Sequence, residues 1–176
     1  MKSELEDIRD WFAYLAEARR GYFTSLEKLP PTELSRDRGA SFPTILDILA
    51  HSQGALWFWF SGCSKDAIPP PEKEPGEPPS VAELRDFENH LQVHIQRYLA
   101  GLSEADLDRT VSRKVGHGSS HDCEIPFREV FWHLVEEELQ HRGEINALLW
   151  QIDVDPPITS WIDWAHKVGR MKDAPR

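Results

Sequence analysis

Apolar residues recur at helical spacing in four long stretches of the chain. Over about residues 5–29, Ile8, Phe12, Leu15, Ala16, Tyr22, Phe23 and Leu26 fall near one stripe, and Pro30 and Pro31 end it. A polar stretch, PTELSRDRGAS, leads to a second run over about 43–60, with Ser41 as its expected cap and Pro43 in its first turn. Ile45, Leu49, Ser52, Leu56 and Trp59 share its face, and Gly62 closes it. Residues 66–79, DAIPPPEKEPGEPP, hold six of the thirteen prolines. Fixed in φ and short of backbone donors, they predict a long, partly stiff crossover that frees the next helix from lying hairpin-fashion beside the second.

Ser80 and Glu83 form a capping-box pattern, after which Leu84, Phe87, Leu91, Ile95, Tyr98 and Leu102 predict a third helix to about 101. Alternation in DRTVSRKV and the glycines of VGHGSSHDC suggest a short hairpin or an irregular loop over 107–124. Pro126 then opens the longest helix, to about 152, before Pro156 and Pro157. The tail, ITSWIDWAHKV, predicts a last helical turn or two packed on the rest. These elements predict an all-α chain, a four-helix bundle forming one domain over 1–176.

Composition narrows the function classes. Hydrophobic residues make up 40% of the chain and include 7 Trp and 8 Phe, enough for a core that stands without disulfides or structural metal. A formal charge of -10 opposes phosphate backbones and anionic lipid, so neither nucleic acid nor a membrane is an expected partner. The start, MKSELEDIRDWFAYLAEARR, is too charged for a signal peptide, and no apolar run approaches the roughly 18 residues of a membrane span. Cys63 and Cys123 lack metal-type spacing and read as two unpaired thiols, which suits a cytoplasmic location.

The longest helix carries the chemistry. With Val130 at zero and 100° per residue, Phe127, Val130, Phe131, Leu134, Ile145, Leu148 and Leu149 fall within an arc of about 100°. His141 and Glu138 lie inside that arc, Glu137 just off one edge and His133 further round the same side. A buried, unpaired carboxylate there would cost several kcal/mol, so a positive partner is expected. Glu137 and His141, at i and i+4, can aim two donors at one point, and His51 in DILAHSQGALWFW offers a third from the second helix. Two imidazoles and one carboxylate leave coordination positions open, as catalytic metal sites require. Glu138 stays open as an alternative to Glu137.

Other positions weigh less. A single Glu-x-x-His, Glu138 to His141, does not make the paired motif of di-iron bundles. His90 and His94 read as a solvated edge, and His117 and His121 as loop residues facing water. Gly143, inside a helix, suggests a close helix contact. Tryptophans 57, 59, 132 and 150 read as core or pocket wall.

In PTILDILAHSQGALWFW and FWHLVEEELQHRGEINAL the chain resembles the DinB/YfiT-like family, and the resemblance extends over the polar linker, the proline-rich crossover and the closing SWIDWA. It implies metal ligands at His51 and at His141, the histidine of His-Arg-Gly. Four residues earlier the family usually has another histidine, where this chain has Glu137, a harder and more anionic donor. His133 matches a histidine often present in the family and is expected behind the ligands or in the core.

The resemblance further implies a metal-dependent enzyme acting on a small molecule, a hydrolase or a transferase using a low-molecular-weight thiol. The expected cofactor is a divalent metal ion, zinc or nickel, at His51, Glu137 and His141. It would lower the pKa of water or hold a thiol as thiolate. A homodimer is compatible with these readings. The rival expectation is a non-catalytic stress-response or small-molecule-binding bundle with a weakened or vacant metal site, which the Glu137 departure favours.

Overall fold

The computed structural model describes residues 2–63, 68–71, 75–76, 78–115 and 121–171. It is mostly helical, with one small sheet. The elements are α1 (Glu4–Leu26), α2 (Pro31–Leu34), α3 (Ile45–Cys63), α4 (Val81–Gly101), a 3-10 turn (Glu104–Asp108), strands β1 (Thr110–Val115) and β2 (His121–Pro126), α5 (Phe127–Trp150) and α6 (Trp161–Lys167). No helix among the described residues is long and apolar enough to cross a membrane.

Helix ends follow local chemistry. Ser3 with Glu6 and Ser80 with Glu83 form reciprocal capping boxes at α1 and α4, satisfying backbone donors that a helix leaves unpaired. At α3 the cap is Thr44 and not Ser41. The Thr44 hydroxyl accepts from the Asp47 amide at 3.1 Å, and the Asp47 carboxylate accepts from the Thr44 amide at 3.1 Å. Pro43 therefore precedes the helix, and Ser41 is left free for another bond described below.

Side-chain pairings give the helix directions. Gln53 reaches Leu84 and Glu88 while Phe60 meets Tyr98, so α3 and α4 run parallel. Phe12 meets Phe131 and Tyr22 donates to Asn146 at 2.5 Å, so α1 and α5 are also parallel. His51 beside His141 and Trp59 beside His133 make α3 and α5 antiparallel. Parallel neighbours cannot be joined by a tight turn. Between α3 and α4, Ile68 is buried in the core and the Pro69 carbonyl bonds Nε2 of His90 at 2.8 Å. His90 is half-buried and anchors this connection, a more specific position than a solvated edge.

The apolar stripes meet in two clusters. One runs from Ile8 and Phe12 through Phe60 and Ile95 to Phe131; the other joins Tyr22, Phe23, Ile48, Leu84 and Leu149. Trp161 stacks on Trp11 at 4.3 Å and Trp164 is buried, so α6 is the expected closing turn against α1.

Strands β1 and β2 form an antiparallel hairpin, the first of the two conformations the alternation allowed. Arg113 pins it to the end of α3. Its guanidinium lies 4.0 Å over the Phe58 ring, donates to the Phe58 carbonyl, and occupies the place a side chain at Gly62 would take.

Two expectations fail at the surface of α5. Gly143 is exposed and a Cβ there would meet nothing within 4 Å, so no close helix contact explains it. Trp150 is 61% exposed because it lies on the side of α5 opposite the buried stripe, while its neighbours Leu148 and Leu149 in the same turn are buried. Gly143→Ala should accordingly raise stability by about 0.5 to 1 kcal/mol, since helical glycine costs backbone entropy that nothing here offsets. Urea unfolding would check this, and a loss of stability would reveal a packing role.

Candidate metal centre

Antiparallel packing of α3 on α5 brings His51, Glu137 and His141 together. One donor atom from each lies within 4.8 Å of the others. Nε2 of His51 stands 3.4 Å and Nε2 of His141 stands 3.5 Å from the same Glu137 oxygen, Oε2. These gaps are long for charge-assisted hydrogen bonds. They match the roughly 3.4 Å that separates donors placed about 2.1 Å from a tetrahedral ion. Donor chemistry and spacing therefore fit a divalent cation.

The His141 ring is buried and held from behind. Its Nδ1 lies 2.9 Å from Oε2 of Glu144, which also accepts from the Ser41 hydroxyl at 2.6 Å. A carboxylate only accepts, so Nδ1 carries the proton of this bond and Nε2 is the ring nitrogen turned toward Glu137. Burial acts to raise the Glu144 carboxyl, but hydrogen bonds from Ser41 and His141 outweigh it and hold the group below the usual range. Phe42 closes one side, stacking on His51 at 4.2 Å and meeting His141 edge-on at 5.7 Å. Phe42 did not stand out in the sequence and Ser41 did so only as a helix cap, because both lie in a linker without periodicity.

Glu138 has a different partner. Its Oε2 accepts from Arg19 Nη2 at 2.8 Å, Arg19 Nε at 3.0 Å and Ser52 Oγ at 2.8 Å. The same guanidinium reaches Glu88 at 3.1 Å, and Gln53 donates to Glu88 at 3.1 Å. Arg19, Glu88 and Glu138 are 3%, 2% and 5% exposed, so all three are charged groups out of water. Burial alone would lower Arg19, but Glu138 and Glu88 raise it well above its ordinary value and keep it protonated. The cation expected opposite Glu138 is thus Arg19. The carboxylate facing the two histidines is Glu137.

His133 is exposed and lies edge-on to Trp59 at 5.3 Å, so it is neither core nor behind the ligands. It faces a cleft of about 840 Å³ that His51 and Glu137 also line. Trp59 and Trp132 are walls of that cleft, while Trp57 is half-buried against the core. His94 packs 4.7 Å from His90; burial, and secondarily His90, hold it below the ordinary histidine value. His121 is exposed at the start of β2, and His117 lies outside the described residues. Cys123 is a free thiol, whereas the Cys63 side chain lies outside the described residues.

The fold and this donor group define a helical protein with two imidazoles and a carboxylate gathered beside an open cleft, which His51 and Glu137 line. A family model described as the DinB superfamily matches residues 14–145, and the chain belongs to that superfamily. A DinB-like protein from Bacillus cereus ATCC 10987, known from a crystal structure, superposes with a TM-score of 0.61 at 15% identity, covering 87% of this chain and 95% of that one. At that identity the likeness is one of fold. No curated protein matches the chain.

Removing the buried guanidinium would strand two carboxylates. Arg19→Met should cost about 3 to 5 kcal/mol, and replacing Glu88 and Glu138 by Met as well should recover much of that loss. Denaturant unfolding of the single and triple variants would decide it. A single variant as stable as the wild type would mean that the network is not charged.

Proposed function

We propose that this protein is a metal-dependent enzyme acting on a small molecule, of the hydrolase or low-molecular-weight-thiol transferase type. Its ligands are His51, Glu137 and His141, its cofactor zinc or nickel, and its framework a four-helix bundle with 66–79 as the crossover. The observation that carries the reading is the approach of both Nε2 atoms to one Glu137 oxygen, in a superfamily that is metal-associated in general. A bound divalent ion would supply Lewis acidity to activate water or a thiol.

The protein's own groups do the rest. His51 and Glu137 line the cleft and present the open side of the group to a substrate, while buried His141 forms its back. Glu144 and Ser41 fix the His141 tautomer and ring plane, and Phe42 keeps water from the His51 face. Arg19 holds Glu138 away from the donors, which leaves Glu137 as the one carboxylate of the three-residue group. A cytoplasmic location belongs to the same reading, supported by two widely spaced cysteines of which Cys123 is free.

Elemental analysis of protein purified without added metal is the direct test, with about one equivalent of zinc or nickel expected. His141→Ala should abolish binding and leave the far-ultraviolet circular dichroism unchanged, because the apolar stripes, not the ion, hold the helices. Glu137→Gln should weaken binding, Glu137→His should keep or tighten it, and Glu138→Gln should act on stability more than on affinity. Glu144→Gln should cost about 10- to 100-fold in affinity by releasing His141. A protein that neither carries an ion nor binds added zinc or nickel would instead be the non-catalytic small-molecule-binding form.

A further inference from the structure

The cleft has a chemical character of its own. At about 840 Å³ it is in the size range of pockets that enclose small organic ligands. Phe58 and Trp59 of α3, Val130 and Trp132 of α5, and Val115 and Ile125 of the hairpin give it flat, mostly apolar walls. The Trp132 indole N–H lies 3.2 Å from a Glu4 oxygen and donates to it. Its polar end is thereby engaged at the N-terminus of α1.

The charged groups of the cleft are of one predominant sign. Among the described residues Glu129, Glu136 and Glu137 line it against one lysine, Lys114. Glu129, His133 and Glu136 fall at i, i+4 and i+7 on α5, so they form a stripe along one helix face, about 10 Å long. Among the described residues neither Glu129 nor Glu136 has an ion-pair partner, unlike Glu137, which faces the two imidazoles. Arg113, held over the neighbouring Phe58 ring at 4.0 Å, shows that this aromatic cluster already accepts a cation on a ring face.

We infer that the cleft takes a substrate with an aromatic or similarly flat apolar body bearing a cationic amine, the amine directed to Glu129 and Glu136 and the body laid against Trp59 and Trp132. This rests on the proposed function only in taking the His51, Glu137 and His141 group as the reactive end. Carboxylates and aromatic faces together attract an ammonium ion, and the chain's net charge of -10 favours its approach. An anionic body would instead meet three carboxylates and one lysine. Among low-molecular-weight thiols, those bearing several carboxylates are therefore the poorer match.

A matched pair of probes tests this on the full chain as purified. Phenethylamine is protonated at pH 7 and cannot itself ligate an ion there; 2-phenylethanol has the same ring and spacer without the charge. Titration followed by NMR should show the amine binding at least about fivefold tighter than the alcohol, with the difference shrinking at high salt. Glu129→Gln/Glu136→Gln should bring the ratio close to one while the alcohol still binds. Equal affinities in the wild type, a preference that survives the double substitution, or no binding of either probe would overturn the inference. The same titration on His141→Ala separates the two readings. An amine preference retained there, in a protein whose wild type proves to bind no metal, would sink the metal reading and leave the cleft assignment standing.

Discussion

One guanidinium holds the helices in register. Arg19 lies between Glu88 and Glu138, with Ser52 on Glu138 and Gln53 on Glu88, so a single buried charge touches α4 and α5 directly and draws in α3 through two short side chains. Apolar stripes can slide by a fraction of a turn at small cost, but two carboxylates out of water can be satisfied in only one arrangement. Ser52 follows His51 and Glu138 follows Glu137. The register that satisfies the ion network is therefore the register that places an imidazole and a carboxylate face to face one residue away.

This adjacency separates two acidic roles on consecutive residues of α5. Glu138 points inward and is consumed by Arg19, whereas Glu137 turns toward the α3 interface and the cleft. A rotation of about 100° between neighbours on a helix is enough to place one carboxylate in a sealed ionic cluster and the other beside two histidines at the edge of solvent. The linker before α3 completes the arrangement. Because Thr44 serves as the cap, Ser41 is available to bond Glu144, and the irregular chain becomes the rear support of His141.

Much of this was legible in periodicity. The four long helices, the hairpin alternative, the capping box at Ser80 and the i, i+4 pairing of Glu137 with His141 follow from residue spacing and apolar faces, whereas His51 joined that pair through its place beside an apolar face and through the family resemblance. Periodicity ranks positions by angle on their own helix and is silent about what stands opposite. It found that Glu138 needs a positive partner but could not find Arg19, which lies 119 residues away on a stripe of otherwise apolar neighbours. It placed His133 near the apolar side but not at the open cleft beside Trp59. Gly143 and Trp150 both lie on the side of α5 opposite its buried stripe, so residue type, which suggested packing there, was overruled by position on the helix.

The parallel pairing of α1 with α5 also orders events during synthesis. Arg19 and Glu88 are both available once α4 has been made, but Glu138, and the contact of Tyr22 with Asn146 across 124 residues, await the final long helix. Closing so large a separation is entropically slow compared with forming local helical contacts. Until α5 has been made, Arg19 lacks one of its two carboxylates and His51 lacks both Glu137 and His141. Docking of α5 completes the ion cluster and assembles the histidine–glutamate group in the same step, so the donors come together only in a chain that has finished folding.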